Sequence, residues 1–354
     1  MINDFKSAVD AANAEMTDPE QHRVVAAGSD QTPRFEVYHA PFSVCSHKVR
    51  AVLLEKQIPF ISHEMKMNLV AHDAPCPDNY KPGYVRLRLR AGDSHALANG
   101  FTGQSSVASQ GLDPCVVPTL VDHKKRRVIV DSARICAYLD NETSSPDLVP
   151  SDLAGAMDGE IALIDEAPHV GILYGAHPDT DKRPSVIVQG LTGVHDRKLT
   201  HLKGLVAEHR DAPDLQRAYA AKIAKEEHAK GFIKSASSMA DAHMRMRAHV
   251  AALEQNLERH AKPWAMGDGY TMADIFWSVS LFRLKWIGLG SLWENGASSL
   301  VTAYVERAFA RKSFQDAVVN WPRSTPPTPH IEDTATYAQH LHTAWRAMGL
   351  RHAS

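Results

Sequence analysis

The sequence predicts an α/β domain built on a small mixed sheet and split by a long insertion, followed by an all-α domain. Three observations carry that expectation. A strand, a helix and a second strand succeed one another over residues 34–67, the opening unit of a parallel sheet. A hairpin and a helix follow over residues 116–143. From about residue 151 onward, apolar residues recur at three- and four-residue spacing and no convincing strand appears.

The elements are justified in chain order. Residues 1–33 read as a polar extension ending at Pro33. In 34–39 (RFEVYH), Phe35, Val37 and His39 alternate onto one face, a short strand. After the loop APFSVC, residues 46–57 place Val49, Val52 and Leu53 at i, i+3 and i+4, an amphipathic helix. Residues 58–67 begin with a proline break and alternate again. Residues 65–114 are an excursion rich in Pro, Asn, Asp, Gly and Ser, longer than a compact domain needs and therefore expected to shape a functional surface. Inside it, residues 84–90 (YVRLRLR) alternate Val85, Leu87 and Leu89 with Arg86, Arg88 and Arg90, which predicts a strand with a solvated basic face or an anion-binding stripe. Residues 116–121 (VVPTLV), the charged turn DHKKRR and residues 128–130 form the hairpin. Asp131 and Ser132 open a helix carrying Ile135, Tyr138 and Leu139 on one side. Helices are expected over 153–177, 214–232, 237–260, 271–289 and 298–311. Residues 177–212, broken by prolines and glycines, read mostly as loop or short helices. The resulting division is an extension 1–33, an α/β domain 34–143 with the insertion 65–114, an all-α domain 151–322 and a tail 323–354.

Composition bounds the function. The chain has 354 residues, 44% hydrophobic and 23% charged, values of a soluble globular protein with two domains. Its 39 basic residues against 41 acidic ones give a net charge of −2, which argues against a nucleic-acid or anionic-membrane partner. Four cysteines, Cys45, Cys76, Cys115 and Cys136, form no C-x-x-C pair, so neither a dithiol redox motif nor a zinc ribbon is expected. The 20 histidines include no HExxH, and no metal site is expected. The start has no apolar core of a leader, and residues 275–289 are interrupted by Ser278, Ser280, Arg283 and Lys285. A cytoplasmic protein with reduced thiols is the expectation.

Few residues could carry chemistry. Cys45 sits where a strand loop meets a helix beginning near Ser46. The helix N-terminus, together with His47, Lys48 and Arg50, should favour thiolate there. Ser43 could hydrogen-bond a bound thiolate from the same loop. Equally, Cys45 could be a small buried hydrophobe. Val117-Pro118 opens a strand with a residue that cannot donate to the ladder, so it belongs at an edge or a cis turn. In thioredoxin-like sheets that turn faces the active cysteine, and the residue before the proline offers its backbone to an extended peptide. At Asp131-Ser132, Ser132 is an N-cap candidate, and the helix start could take a ligand carboxylate with Asp131 receiving its ammonium; plain capping is the ordinary alternative. Thr271 and Asp274 form a capping box with a folding role. His169 and Tyr174, near the break at Pro168, could face a cleft between the domains but are more simply packing groups.

Taken together, these features resemble a glutathione S-transferase: a thioredoxin-like N-terminal domain, V-P-T-L, an acid-Ser helix start and an all-α domain headed by a capping box. Residues 43–50 (SVCSHKVR) resemble the S-x-C-S-x-K-x-R segment of the glutathione-dependent hydroquinone reductive dehalogenases, of the 2,5-dichlorohydroquinone and tetrachlorohydroquinone type. That likeness also covers YVRLRLR, FTGQSSVASQGLDP, PHVGILYGAHPD and GDGYTMADIFWSVSLFRLKW, and it runs over most of 34–322. It implies glutathione as cosubstrate, a small halogenated aromatic as substrate and a homodimer. It makes Cys45 the redox thiol and Ser43 its neighbour at the glutathione sulfur. Val117 and Pro118 would receive the cysteinyl group, and Asp131 and Ser132 the γ-glutamyl end. Without a second cysteine two or three residues away, an external thiol must resolve the mixed disulfide, unless Cys76 or Cys115 approaches Cys45 in space. A transferase, a thiol-lyase, a maleyl-type isomerase and a non-catalytic binding protein are the alternatives, since a fold does not choose among them.

Overall fold

Among the described residues the sheet has five strands, numbered in chain order and arranged β1-β3-β2-β4-β5. The computed structural model describes residues 4–25, 33–67, 76–91, 96–104 and 106–321; the expected tail 323–354 lies outside them. The strands are β1 (His22–Val25), β2 (Phe35–His39), β3 (Phe60–Glu64), β4 (Thr119–Asp122) and β5 (Arg127–Val130). β2 and β3 are parallel, joined through the crossover helix α2 (Val44–Glu55), while β4 and β5 form the antiparallel hairpin expected from VVPTLV and VIV. α2 buries Val49, Val52 and Leu53 against the sheet and against α5 (Ser132–Asn141).

The first residues are not a polar extension. Phe5, Ala8, Val9 and Ala12 recur at i, i+3, i+4 and i+7, and they are the buried stripe of α1 (Phe5–Ala14). The chain then supplies β1, which pairs antiparallel with β3 and adds a fifth strand to the expected four. A buried polar network ties this addition down. The Glu36 carboxylate meets His63 Nε2 at 2.8 Å, His123 Nε2 at 2.7 Å and the Tyr38 hydroxyl at 3.2 Å. Tyr38 in turn approaches Asn13 Oδ1 of α1 at 2.7 Å, and His63 meets His22 of β1 at 2.7 Å. Burial raises the Glu36 carboxyl, but hydrogen bonds and charge from His63 and His123 outweigh it and hold it at about 2, below the ordinary 4.5. A depressed carboxyl contributes stability above its unfolded value and loses it as pH falls through the folded one. Urea unfolding of the wild type should therefore weaken by on the order of 3 kcal/mol as pH drops from about 4.5 toward 2. Glu36→Gln should flatten that dependence; an unchanged slope in the variant would refute the assignment.

The stretch YVRLRLR is helical, not extended. It lies in α3 (Pro82–Leu89), with proline at its start and the Glu15 carboxylate accepting from the backbone N–H of Gly83 at 2.8 Å. α3 is covered on both sides, which explains the misleading alternation. Tyr84 and Leu87 pack toward α1, whereas Val85 and Leu89 pack toward α9 and α10. Arg88 is buried rather than solvated, and Arg86 pairs with Asp214 at 2.8 Å. A short α4 (Val107–Gln110) completes the insertion before β4.

The second half is helical: α6 (Ala154–Asp165), α7 (His169–Tyr174), α8 (Ser185–Leu191), α9 (Val194–Glu208), α10 (Pro213–Lys234), α11 (Ala236–His260), α12 (Met272–Trp286) and α13 (Ser299–Phe309). After α13, a short α14 (Lys312–Phe314) runs into one π-helical stretch, Gln315–Val319, that packs on α2. Residues 177–212 are more ordered than a loop, because Val194, Leu199, Leu202 and Leu205 give α9 a buried stripe. α12 is the axis of the domain, buried along almost its whole length. Its start is the expected capping box: Asp274 accepts from the Thr271 N–H at 2.8 Å, and also from Ala265 N–H and the Tyr304 hydroxyl. Among the described residues, no helix is long and apolar enough to cross a membrane.

Candidate active site

Strand register brings the candidate segments to one edge of the sheet. Thr119 pairs with Tyr38 on one side and with Val130 on the other. The loop after His39, the segment ending at Pro118 and the turn at Asp131 therefore all leave the sheet at the same end. β3 ends there too, since Glu64 lies beside His39, so the insertion starts at this edge.

Cys45 lies on the first turn of α2, half-buried, and Ser43 is the N-cap: its hydroxyl accepts from the Ser46 N–H at 3.3 Å. The helix thus begins two residues earlier than the expected start near Ser46. The loop before it is pinned by Arg50, which donates to the carbonyls of Ala40 (3.1 Å) and Pro41 (2.7 Å). Of the three cations expected to surround the thiol, His47 contributes none. It is buried, donates Nε2–H to Pro41 O at 2.9 Å, and burial pushes its pKa well below the usual value, so it is neutral. Lys48 does face Cys45. It is fully buried, its Nζ lies 2.6 Å from Asp165 on α6, and the pull of Asp165 and Cys45 outweighs burial and raises its pKa. A cation that the local reading did not single out joins it: Arg283 of α12 interacts electrostatically with Cys45 and donates to Phe42 O.

All four cysteines are thiols. Burial raises Cys76 to about 11 and pushes Cys115 and Cys136 well above the ordinary range. Those three are poor nucleophiles at neutral pH.

Val117-Pro118 is a cis peptide, as the sequence suggested among its options. The insertion holds it in place. Arg88 donates to Pro118 O at 2.6 Å and to Thr119 Oγ1 at 2.9 Å, and the Tyr84 hydroxyl donates to Val116 O at 2.6 Å. Tyr84 and Arg88, spaced i and i+4 on α3, are supporting residues that a strand reading could not group.

At the third segment the cap is Asp131, not Ser132. Asp131 adopts φ 75°, a left-handed backbone that non-glycine residues rarely take. Its carboxylate accepts from the N–H groups of Ala133 (3.0 Å) and Arg134 (3.3 Å), and from Val107 of the insertion (2.8 Å). Burial, then the nearby Asp165, pushes its carboxyl pKa up. Ser132 is the first helical residue and is buried. Lys48 couples electrostatically to both Cys45 and Asp131, so the N-termini of α2 and α5 share one electrostatic environment.

His169 does not face a cleft. It is buried between α7 and α12, with Nε2 3.1 Å from Ser280 Oγ, and burial keeps it neutral. Tyr174 packs against His195, with Lys198 Nζ 4.6 Å from its ring centroid, and interacts electrostatically with Arg283.

Comparison with known proteins places the chain. The family model described as the glutathione S-transferase N-terminal domain matches residues 42–142. A 2,5-dichlorohydroquinone reductive dechlorinase of Sphingobium indicum is 43% identical over 303 residues, 84% of this chain and 86% of that protein. A tetrachloro-p-hydroquinone reductive dehalogenase of Sphingobium chlorophenolicum is 24% identical over 82% of this chain and 98% of its own length. Among solved structures, a beta-etherase from Sphingobium sp. superimposes with a TM-score of 0.53 at 16% identity, covering 80% of this chain and 98% of the other, which is agreement of fold. With the five-stranded sheet, the cis-proline segment and the helical domain built on α12, the chain belongs to the glutathione S-transferase superfamily, in the family that contains the 2,5-dichlorohydroquinone reductive dechlorinase.

Proposed function

We propose that the protein is a glutathione-dependent reductive dehalogenase of a halogenated hydroquinone, with Cys45 as its redox thiol. The observation that carries the reading is the 43% identity to a dechlorinase over most of both chains. The geometry supports it, because Cys45 alone of the four thiols combines partial exposure with a helix N-terminus and facing cations. Glutathione thiolate displaces halide from a tautomer of the ring: a C–S bond forms and the carbon–halogen bond breaks. The Cys45 thiolate then attacks the glutathione sulfur. An S–S bond forms, the C–S bond breaks, and its electron pair returns to the ring carbon, which takes a proton. A second glutathione resolves the mixed disulfide, giving glutathione disulfide and restoring Cys45. In sum, one aryl halide and two glutathiones yield the reduced ring, one disulfide, halide and a proton.

In this reading Ser43 neighbours the glutathione sulfur, and the Val117 backbone beside Pro118 receives the cysteinyl group. The γ-glutamyl carboxylate lies at Ser132 and the α5 N-terminus, with Asp131 beside its ammonium. A cytoplasmic homodimer belongs to the same reading on family resemblance alone. The test is product analysis with glutathione and a panel of halogenated hydroquinones. Halide and glutathione disulfide should appear in equal amounts with the dehalogenated ring. Conjugation without disulfide would make the protein a transferase, and no retention on immobilised glutathione would remove the enzymatic reading.

A further inference from the structure

Arg283 is a buried cation with no carboxylate paired to it and few fixed acceptors among the described residues. It is 4% exposed, near the C-terminal end of α12. Other buried arginines spend their donors on fixed acceptors. Arg50 donates to Ala317 O, Ala40 O and Pro41 O and contacts His39 Nδ1. Arg88 donates to Asp113 O, Pro118 O and Thr119 Oγ1. Among the described residues Arg283 makes one hydrogen bond, from Nη2 to Phe42 O, and its guanidinium lies 5.0 Å from the Trp286 ring centroid. No carboxylate among the described residues pairs with it. Lys48, which also faces Cys45, is by contrast neutralised by Asp165 at 2.6 Å. Burial pushes the Arg283 pKa down to about 10, against the pull of Tyr174 and Cys45. A desolvated cation without a partner is costly, so one retained beside a nucleophile is suited to receive an anion there.

We infer that Arg283 is the substrate's anion receptor: its remaining N–H groups bind an ionised hydroxyl oxygen of the hydroquinone and hold the ring beside Cys45. This rests on the function proposed above. Trp286 supplies an aromatic face to the guanidinium, and Phe42, exposed in the loop just before Cys45, supplies the carbonyl that holds it at that loop. Phenolic hydroxyls ionise near pH ~10 in water. A guanidinium in a dry site shifts that balance toward the anion, and the proton departs to solvent. The planar fork also fixes the oxygen's direction, which the Lys48 point charge could not do.

The probe is 4-nitrophenol, whose ionisation is read from its absorbance. The wild type should bind the phenolate at least about tenfold more tightly than the phenol, lowering the apparent pKa of the bound probe by about one unit. R283M should abolish that shift and reduce hydroquinone kcat/KM by about 10- to 100-fold, a loss exceeding any change in resolution of the Cys45 mixed disulfide by glutathione. R283Q serves the same purpose if the apolar variant does not fold, and R283K should retain part of the shift. An unchanged probe ionisation in a folded neutral variant overturns the inference, as does a loss confined to glutathione affinity. If the wild type releases no halide yet shifts the probe through Arg283, the proposed function fails while the receptor stands.

Discussion

A Cys45→Ser protein should convert a chlorinated hydroquinone to its glutathionyl conjugate and stop there. In the proposed mechanism the first step needs only a bound glutathione thiolate, and the substitution leaves Ser43 and the α2 N-terminus in place. The second step needs a thiolate that attacks sulfur and leaves again, which a serine hydroxyl at neutral pH does not do. Formation of the reduced ring and of glutathione disulfide should fall by at least about 1,000-fold while one halide and one conjugate form per ring. Mass spectrometry of the product and coupled assay of glutathione disulfide separate the two steps. Full reductive turnover in Cys45→Ser would refute the redox role. Cys76→Ser should retain turnover, since burial already raises that thiol to about 11 and places it outside the chemistry.

How much of this was legible depended on whether the signal was local. The α2 face Val49–Val52–Leu53, the β4–β5 hairpin and the Thr271–Asp274 box are set by residues a few positions apart, and the sequence shows each of them. The segment 84–90 misled because α3 is buried on both sides, so its apolar residues follow no single stripe and its arginines are not a solvated face. The buried stripe of α1 was present in the spacing, but the acidic and amide residues between its members masked it. At the candidate site, the three segments were legible, and their convergence was not, because it follows from strand register. The electrostatics were the least legible part. Lys48 gains its meaning from Asp165 on α6, and Arg283 reaches the Cys45 loop from α12. His47, counted as a cation by proximity, is neutral because it is buried.

The Lys48–Asp165 pair should be the costliest of these long-range contacts to break. Its side chains are 1% and 7% exposed, and the 2.6 Å contact links α2, which carries Cys45, to α6 of the helical domain. Lys48→Met removes the cation and leaves Asp165 buried and uncompensated. The expected cost is about 3–5 kcal/mol in urea unfolding, more than the loss of one apolar contact would explain. It should also slow thiol–disulfide exchange at Cys45, because an unpaired carboxylate nearby disfavours the thiolate. The double variant Lys48→Met, Asp165→Leu removes both charges and should regain most of the lost stability, since a well-packed apolar pair often matches a buried ion pair. It should not regain exchange to the same extent, because the cation facing Cys45 is still missing. This split between stability and exchange would separate a structural role of the pair from a role of Lys48 at the proposed redox thiol. A single variant no less stable than an exposed-site substitution, or a double variant less stable than either single, would refute the assignment.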